Sequence, residues 1–436
     1  MTTRVVAASV LVASAVIASL AITFAIVARA LQAAIAFSLV YVAYLALRGY
    51  QAMRDARLAA AEQASRPWVT LVVAARNEAP VIAATLASLA GQDYAQVGER
   101  RFDIVVVDDG STDETGALAH RAASMHPDRI SVMRREAGDG PSTKAAVLAF
   151  AQSHTRGEVI GVLDADASVS SEFVTRVMGA WRADPGAAAI QAQRRVHNRD
   201  HGWFAAAQDE ELLMDMASQC GRRATDGTAE LRGNGMFVKR DVLERLGGWN
   251  PTALTEDLEL STRLVAAGER IALAPQAEVG EEAVTTLRGL WRQRLRWAEG
   301  SIRRLIELGP GLLRAAHVPL SRKLDFLAFT GEFVIPPLFV TTIVASLLTI
   351  PLPRPADWTV PASLFLGYGI GSLLLAVAGL AAQGERGPRL AGHAGRGALF
   401  LSHWLLVVPA ALLRIAAGRH ATSFVQTRRT GHLSNR

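Results

Sequence analysis

The chain has 436 residues, 50% of them hydrophobic, a formal net charge of +6 and a mean hydropathy of +0.21. That balance is too apolar for an ordinary soluble enzyme, so part of the length is expected in lipid. A single cysteine, Cys220, excludes an intrachain disulfide and a cysteine zinc cluster, and fits a reducing compartment. The isoelectric point near 9.9 does not argue for nucleic acid, because the arginines gather beside apolar runs, where anionic head groups and diphosphates are simpler partners.

Residues 5–27 carry no charge and are long enough to span a bilayer, and a second apolar run follows at 31–47. A secretory signal peptide has a shorter apolar region and no second run behind it. Arg48, Arg54, Arg57 and Arg66 come next and place the following segment on the cytoplasmic side. From there the pattern alternates: strands are expected at 69–75, 102–107, 130–133 and 158–163, and helices at 80–90, 114–125 and 143–151. Strand and helix in turn imply an α/β fold, a mostly parallel sheet covered on both faces, which binds ligands outside the carboxyl ends of its strands. The pattern loosens after Gln193 and resumes at 231–239 and 241–267. Beyond Leu324, apolar runs cover 326–350 (interrupted by Glu332 and by Pro336-Pro337), 362–382 and 398–417. Three full crossings would leave the tail outside, whereas Arg414, Arg419, Arg428 and Arg429 argue for inside, so one run is expected to be re-entrant or interfacial.

Three of the expected strands run into polar groups: Arg76-Asn77-Glu78, Asp108-Asp109-Gly110 and Asp164-Ala165-Asp166. Any one could be an ordinary turn. Together they favour a nucleotide site, and since neither a Walker A loop nor a Gly-x-Gly-x-x-Gly turn is present, a carboxylate-bound cation is the expected partner of the phosphates. Asp164 and Asp166 offer oxygen ligands suited to Mg2+ or Mn2+, which would act as a Lewis acid toward a departing diphosphate. Thr255-Glu256-Asp257 precedes an amphipathic run and reads as a helix start; an ionised carboxylate there can serve as general base. Apolar residues between Leu287 and Ile306 fall on one helical stripe, while Gln293, Arg296 and Trp297 share a different face. Such a helix can lie at a membrane surface, or it can present Arg296 to a diphosphate and Trp297 to a sugar ring.

In this order, Val105-Val106-Val107-Asp108-Asp109-Gly110-Ser111, Leu163-Asp164-Ala165-Asp166, Thr255-Glu256-Asp257 and Gln293-Arg294-Leu295-Arg296-Trp297 resemble the processive family 2 glycosyltransferases, which include cellulose, hyaluronan, chitin and poly-N-acetylglucosamine synthases. The resemblance covers about residues 67–301 and implies a cytosolic GT-A type nucleotide-diphospho-sugar transferase domain there. Around it would lie membrane helices over 1–50, an interfacial amphipathic segment at 302–324, membrane segments over 325–417 and a basic tail at 418–436. It further implies that Asp109 contacts the nucleotide base, Asp164 the ribose or phosphates and Asp166 the metal, that Asp257 deprotonates the acceptor with inversion at the anomeric carbon, and that Gln293, Arg296 and Trp297, with Glu256 beside them, line the diphosphate and acceptor end. Glu78 and Lys144 are carried over as donor contacts, although Arg76-Asn77-Glu78 stands where many members have a Tyr-Asn-Glu-like run and Lys144 lacks the usual preceding glycine. Residues 424–429 look like a degenerate form of the family's carboxyl-terminal gating segment.

The expected function is therefore an inverting synthase of the cell (inner) membrane, polymerising a UDP-sugar into a polysaccharide and guiding it outward, with an accessory export subunit as a candidate partner. The alternative is a single transfer to a glycolipid acceptor, as in ceramide or diacylglycerol glucosyltransferases, and the remote one a non-catalytic membrane scaffold that binds nucleotide-sugars.

Overall fold

A computed structural model of the chain describes residues 2–58, 66–96, 98–136, 140–352 and 358–419. Helices α1 (Thr2–Thr23) and α2 (Ala25–Leu58) lead, parted only at Phe24. Then come β1 (Val69–Ala75), α3 (Ile82–Ala90), a short hairpin of β2 (Ala95–Gln96) and β3 (Glu99–Arg100), β4 (Phe102–Asp109), α4 (Thr115–Met125), β5 (Ile130–Arg135), α5 (Lys144–Gln152) and β6 (Val159–Asp164). The seven elements expected over this stretch are all present, and the β2–β3 hairpin is additional. β7 (Ser168–Val169), α6 (Phe173–Ala183), β8 (Ala189–Val196), α7 (Trp203–Ala224), β9 (Met236–Lys239), α8 (Arg240–Arg245), α9 (Glu256–Ala266) and β10 (Ile271–Glu281) complete the domain.

The main sheet has eight strands in the order β5-β4-β1-β6-β9-β8-β10-β7. β5, β4, β1 and β6 pair in parallel, as do β8 and β10; β9 lies antiparallel between β6 and β8, and β7 caps the edge antiparallel to β10. The strands at its centre read as continuous Val/Ile/Leu because both faces are covered. On one side Leu71, Val73, Ile104 and Val106 pack with Ile82 and Leu86 of α3 and Val174, Val177 and Trp181 of α6. On the other, Val72, Val105 and Val162 pack with Val147 and Leu148 of α5 and Leu260 and Leu264 of α9.

After the sheet come α10 (Leu287–Arg314), α11 (Leu320–Thr330), α12 (Ile335–Leu348), α13 (Thr359–Ala382), α14 (Gly387–Leu401) and α15 (Trp404–Ala416). Among the described residues five helical stretches have the length and composition to cross a membrane: Thr2–Thr23, Ala25–Ala56, Leu320–Leu348, Thr359–Ala382 and Gly387–Ala416. The third and fifth are interrupted, by a 3-10 turn at Gly331–Phe333 and by the Ser402–His403 turn between α14 and α15. Residues 424–429, the gating-like segment, lie outside the described residues.

The stripe on α10 divides differently from the expectation. Ala298 and Ile302 are buried against Val407, Val408 and Ala411 of α15, with Leu295 and Ile306 beside them, whereas Leu287 and Trp291 in the first turns are exposed. α10 also packs on α9, so the helix bridges the sheet domain and the flanking apolar helices.

A second bridge joins α2, α7 and α13. A methyl group added at Gly49 would lie 2.0 Å from the Ala217 carbonyl oxygen, and one at Gly221 would lie 2.2 Å from that of Leu45. Backbones that approach this closely tolerate no side chain. Gly221→Val is therefore expected to push α2 off α7 and lower the thermal midpoint of the detergent-solubilised protein by several degrees, a loss of about 1–3 kcal/mol for overpacking. An unchanged midpoint would show that this seam does not hold the two layers together.

Candidate active site

β4, β1 and β6 are neighbours, and the register pairs Ala75 with Asp108 and Ala74 with Asp164, so the three polar strand ends lie side by side. Asn77 takes a left-handed conformation (φ 52°) that asparagine tolerates better than most residues. Its side-chain oxygen accepts the Thr112 amide at 2.8 Å, its own amide donates to Ser111 Oγ at 3.0 Å, and the Glu78 amide donates to Thr115 Oγ1 at 2.7 Å. These bonds fasten the first strand end to the second. Asp109 is buried and held by the equally buried Arg135 at 2.6 Å, with Arg76 at 3.5 Å; Asp108 pairs with Arg134 at 2.9 Å.

Asp164 is anchored from two sides. Its amide donates to Asn234 Oδ1 at 3.1 Å, and its carboxylate forms an ion pair with Lys144 Nζ. Lys144 opens α5 behind Thr143, whose hydroxyl accepts the Ala146 amide at 3.1 Å. Asp166 is buried and its Oδ2 accepts the Glu282 amide at 2.8 Å. Among the described residues, no group of three or more acidic, histidine or cysteine side chains is placed to hold a metal ion. The strand end supplies a carboxylate pair instead, the donor set with which Mg2+ or Mn2+ commonly binds together with substrate phosphates.

Thr255 precedes α9 as expected, without a side-chain capping bond, and brings Glu256 and Asp257 to the same cluster. Lys144 Nζ lies 3.4 Å from Glu256 Oε1. Burial, then the neighbouring Glu256 charge, raise the Asp257 pKa to about 6, against the opposing pull of the Leu258 amide, Lys144 and Arg232. Burial thus outweighs the helix-start effect that the sequence suggested, yet the group is still mostly ionised at neutral pH. Burial alone would lower the Lys144 pKa; the carboxylates of Asp164, Glu256 and Asp257 outweigh it and keep the ammonium charged. Gly233, at φ 78°, passes over this cluster so closely that an added methyl would sit 3.3 Å from Asp257 Oδ2 and 3.7 Å from Lys144 Nζ. Both the conformation and the space call for glycine.

From α10, Gln293, Arg296 and Trp297 face the same space. Gln293 Oε1 is buried and accepts no hydrogen bond among the described residues. The Arg294 guanidinium lies 4.2 Å from the Trp297 ring and donates to Glu211 at 2.5 Å, while Trp404 Nε1 donates to the other Glu211 oxygen at 2.9 Å. Arg194, at the end of β8, forms a two-pronged pair with Glu281 of β10 at 2.7 and 2.8 Å and lies 5.6 Å from the Trp297 ring.

One cavity of about 660 Å³ is lined by all ten residues singled out from the sequence: Glu78, Asp109, Lys144, Asp164, Asp166, Glu256, Asp257, Gln293, Arg296 and Trp297. Sequence reasoning missed Arg135, Arg194, Asp215, Arg232 and Glu281. Arg135, Arg194, Asp215 and Glu281 sit in strands and helices and Arg232 in the loop before β9; the only signal was the arginine pairs Arg134-Arg135 and Arg194-Arg195 at two strand ends. The cavity continues past the carboxylates between α2, α12 and α13, where Leu31, Ile35, Leu39, Leu338 and Leu364 line it.

A mostly parallel sheet whose carboxyl edge gathers acids beside a broad cleft is the arrangement of an α/β protein that binds its ligand at the strand ends. The model of the glycosyltransferase like family 2 matches residues 66–300, and the chain belongs to that family. It is 32% identical over 369 residues to a beta-monoglucosyldiacylglycerol synthase of Synechocystis, covering 83% of this chain and 74% of the relative. A poly-beta-1,6-N-acetyl-D-glucosamine synthase of Staphylococcus aureus is 26% identical over 237 residues, covering 53% of this chain and 54% of the relative. Among solved structures, a mannosyltransferase of Pyrobaculum calidifontis in complex with GDP-Man and Mn2+ superposes with a TM-score of 0.53 at 23% identity, over 89% of this chain and 98% of its own. That likeness establishes the GT-A type fold.

Proposed function

We propose that this enzyme transfers one hexosyl group from a nucleotide-diphosphate sugar to the hydroxyl of a membrane lipid of the diacylglycerol kind. The cavity that runs unbroken from Asp257 to apolar residues of α2, α12 and α13 carries the reading, since it gives an acyl-chain alcohol a lipid-lined path to the carboxylates. Similarity to the glucosyldiacylglycerol synthase extends over 83% of the chain, whereas similarity to the polymer synthase extends over 53%. The polymerising synthase suggested by the Gln-x-x-Arg-Trp element is accordingly the second reading, and the non-catalytic scaffold is set aside for a chain of this family with its acids in place.

In this reading Asp257 accepts the proton of the lipid hydroxyl as its oxygen attacks the anomeric carbon on the face opposite the leaving diphosphate, which inverts the configuration. Arg296 and Gln293 hold the diphosphate by hydrogen bonds, and Trp297, with the Arg294 guanidinium against its ring, stacks on the sugar. Asp109, Glu78 and Lys144 bind the nucleotide side. Asp164 and Asp166 would hold Mg2+ or Mn2+, whose charge, when bound, stabilises the leaving diphosphate. The donor domain would face the cytosol, with Arg48 and Arg54 in the last turns of α2 and Arg66 beyond it on that side.

Membranes containing the protein, given a panel of radiolabelled UDP- and GDP-sugars with Mn2+ or Mg2+, are expected to yield one labelled lipid from one donor. A ladder of oligomers would overturn the single-transfer reading. Asp166→Ala should lower the metal-dependent rate by at least about 100-fold, the several kcal/mol that a cation at the leaving group supplies.

A further inference from the structure

Glu332 stands in the middle of an otherwise apolar stretch, and the site described above makes no use of it. It belongs to the 3-10 turn Gly331–Phe333 that interrupts the span Leu320–Leu348. α12 restarts with Pro336 and Pro337 in its first turn, residues with no amide to donate, so the break is written into the sequence. An ionisable group within a membrane span is costly unless it serves a water-lined path or a ligand. Here it lines the cavity together with Phe333, Leu338, Leu364 and Tyr368.

The charges around this carboxyl group come mostly from the sheet domain. Among the described lining residues contributed by the five candidate spans, Glu332 is the acid and there is no lysine or arginine. The cations acting on it, Arg222 and Arg232, belong to the sheet domain and are already paired, Arg222 with Asp325 at 3.1 Å and Arg232 with Asp215 and Glu230 at 2.7 Å each. Arg194 and Arg294 are likewise committed to Glu281 and Glu211. A lipid head bearing phosphate would meet an acidic group at this depth whose nearest cations are already engaged by Asp325, Asp215 and Glu230. An uncharged alcohol meets no such conflict and offers a hydroxyl for the carboxyl group to accept.

We infer that Glu332 is a specificity-determining residue, hydrogen-bonding the hydroxyl-bearing head of an uncharged lipid on its way to Asp257 and excluding acceptors whose heads carry phosphate. The inference rests on the lipid-acceptor reading above and assigns the acceptor's charge class.

The test uses the full-length protein in nanodiscs with its labelled sugar donor and, in turn, dioleoylglycerol and a polyprenyl phosphate. Wild type is expected to use dioleoylglycerol and to leave the polyprenyl phosphate untouched. Glu332→Gln should raise KM for dioleoylglycerol about tenfold, as expected for loss of a charge-assisted hydrogen bond. It should leave kcat and donor KM within about twofold and bring the first measurable transfer to the polyprenyl phosphate. Glu332→Asp should retain the wild-type exclusion, and thermal midpoints identify any variant that fails to fold. If wild type glycosylates dioleoylglycerol but both variants show its KM and its exclusion unchanged, this inference fails while the lipid-acceptor reading stands. If wild type prefers the polyprenyl phosphate, the charge assignment is wrong, and if it uses no lipid at all, both readings fall.

Discussion

Asp257→Asn is expected to lower sugar transfer by about 10²- to 10⁴-fold, the usual contribution of a positioned general base, while donor affinity stays near wild type. The same substitution should make the protein more stable. In the fold the Asp257 pKa is raised from 3.8 to about 6 by burial and by Glu256, so the folded chain binds a proton more readily than the unfolded one. Its contribution to stability is therefore most favourable below pH 4 and is lost as the pH rises through about 6. At pH 7 the ionised group costs on the order of 1–3 kcal/mol, which a neutral asparagine removes. Activity follows the opposite course, because only the ionised form can take the proton: log(kcat/KM) of wild type should be level above pH 6 and fall tenfold per unit below it. Calorimetry and a pH–rate profile of both proteins check this together. An asparagine variant that turns over normally, or that keeps the acid limb, would assign the base to another residue.

That trade of stability for reactivity explains which parts of the molecule could be read in advance. β1, β4 and β6 were legible because strands covered on both faces must be apolar throughout, and because the polar residues that end them have no structural reason to recur at three neighbouring strand tips. α7 was not legible. Asp209, Glu210 and Glu211 are buried in it, which hides the apolar periodicity, and each is compensated from afar: Asp209 by Arg195, Glu210 by Arg396 of α14, Glu211 by Arg294 of α10. No local pattern contains pairings separated by up to 186 residues. β9 falls within the stretch 231–239 where the pattern resumes, but its place, antiparallel between β6 and β8, was not legible because its neighbours are fixed by register rather than by sequence order. Within the segment expected to be interfacial, 302–324, residues 302–314 continue α10, whose Ala298 and Ile302 pack against α15.

Lys144→Met should be as damaging as loss of the base, and for a reason that can be separated from it. The ammonium is the cation shared by Asp164, Glu256 and Asp257, and its removal leaves three acids facing one another without it. The Lys144 and Asp164 side chains are 17% and 32% exposed, so the loss falls below that of a fully buried pair, on the order of 1–3 kcal/mol, and the thermal midpoint should fall. The catalytic consequence has a definite direction. Lys144 helps to hold the Asp257 pKa down to about 6; without it the pKa rises further, a larger fraction of the base is protonated at pH 7, and the acid limb of the rate profile moves upward. Part of the lost activity should return at pH 8 to 9, whereas Asp257→Asn recovers nothing there. Lys144→Arg keeps the charge and should keep the limb near its wild-type position even if the longer side chain fits poorly. A methionine variant with an unshifted limb would mean that Lys144 serves the donor alone and leaves the base to be tuned by burial and Glu256.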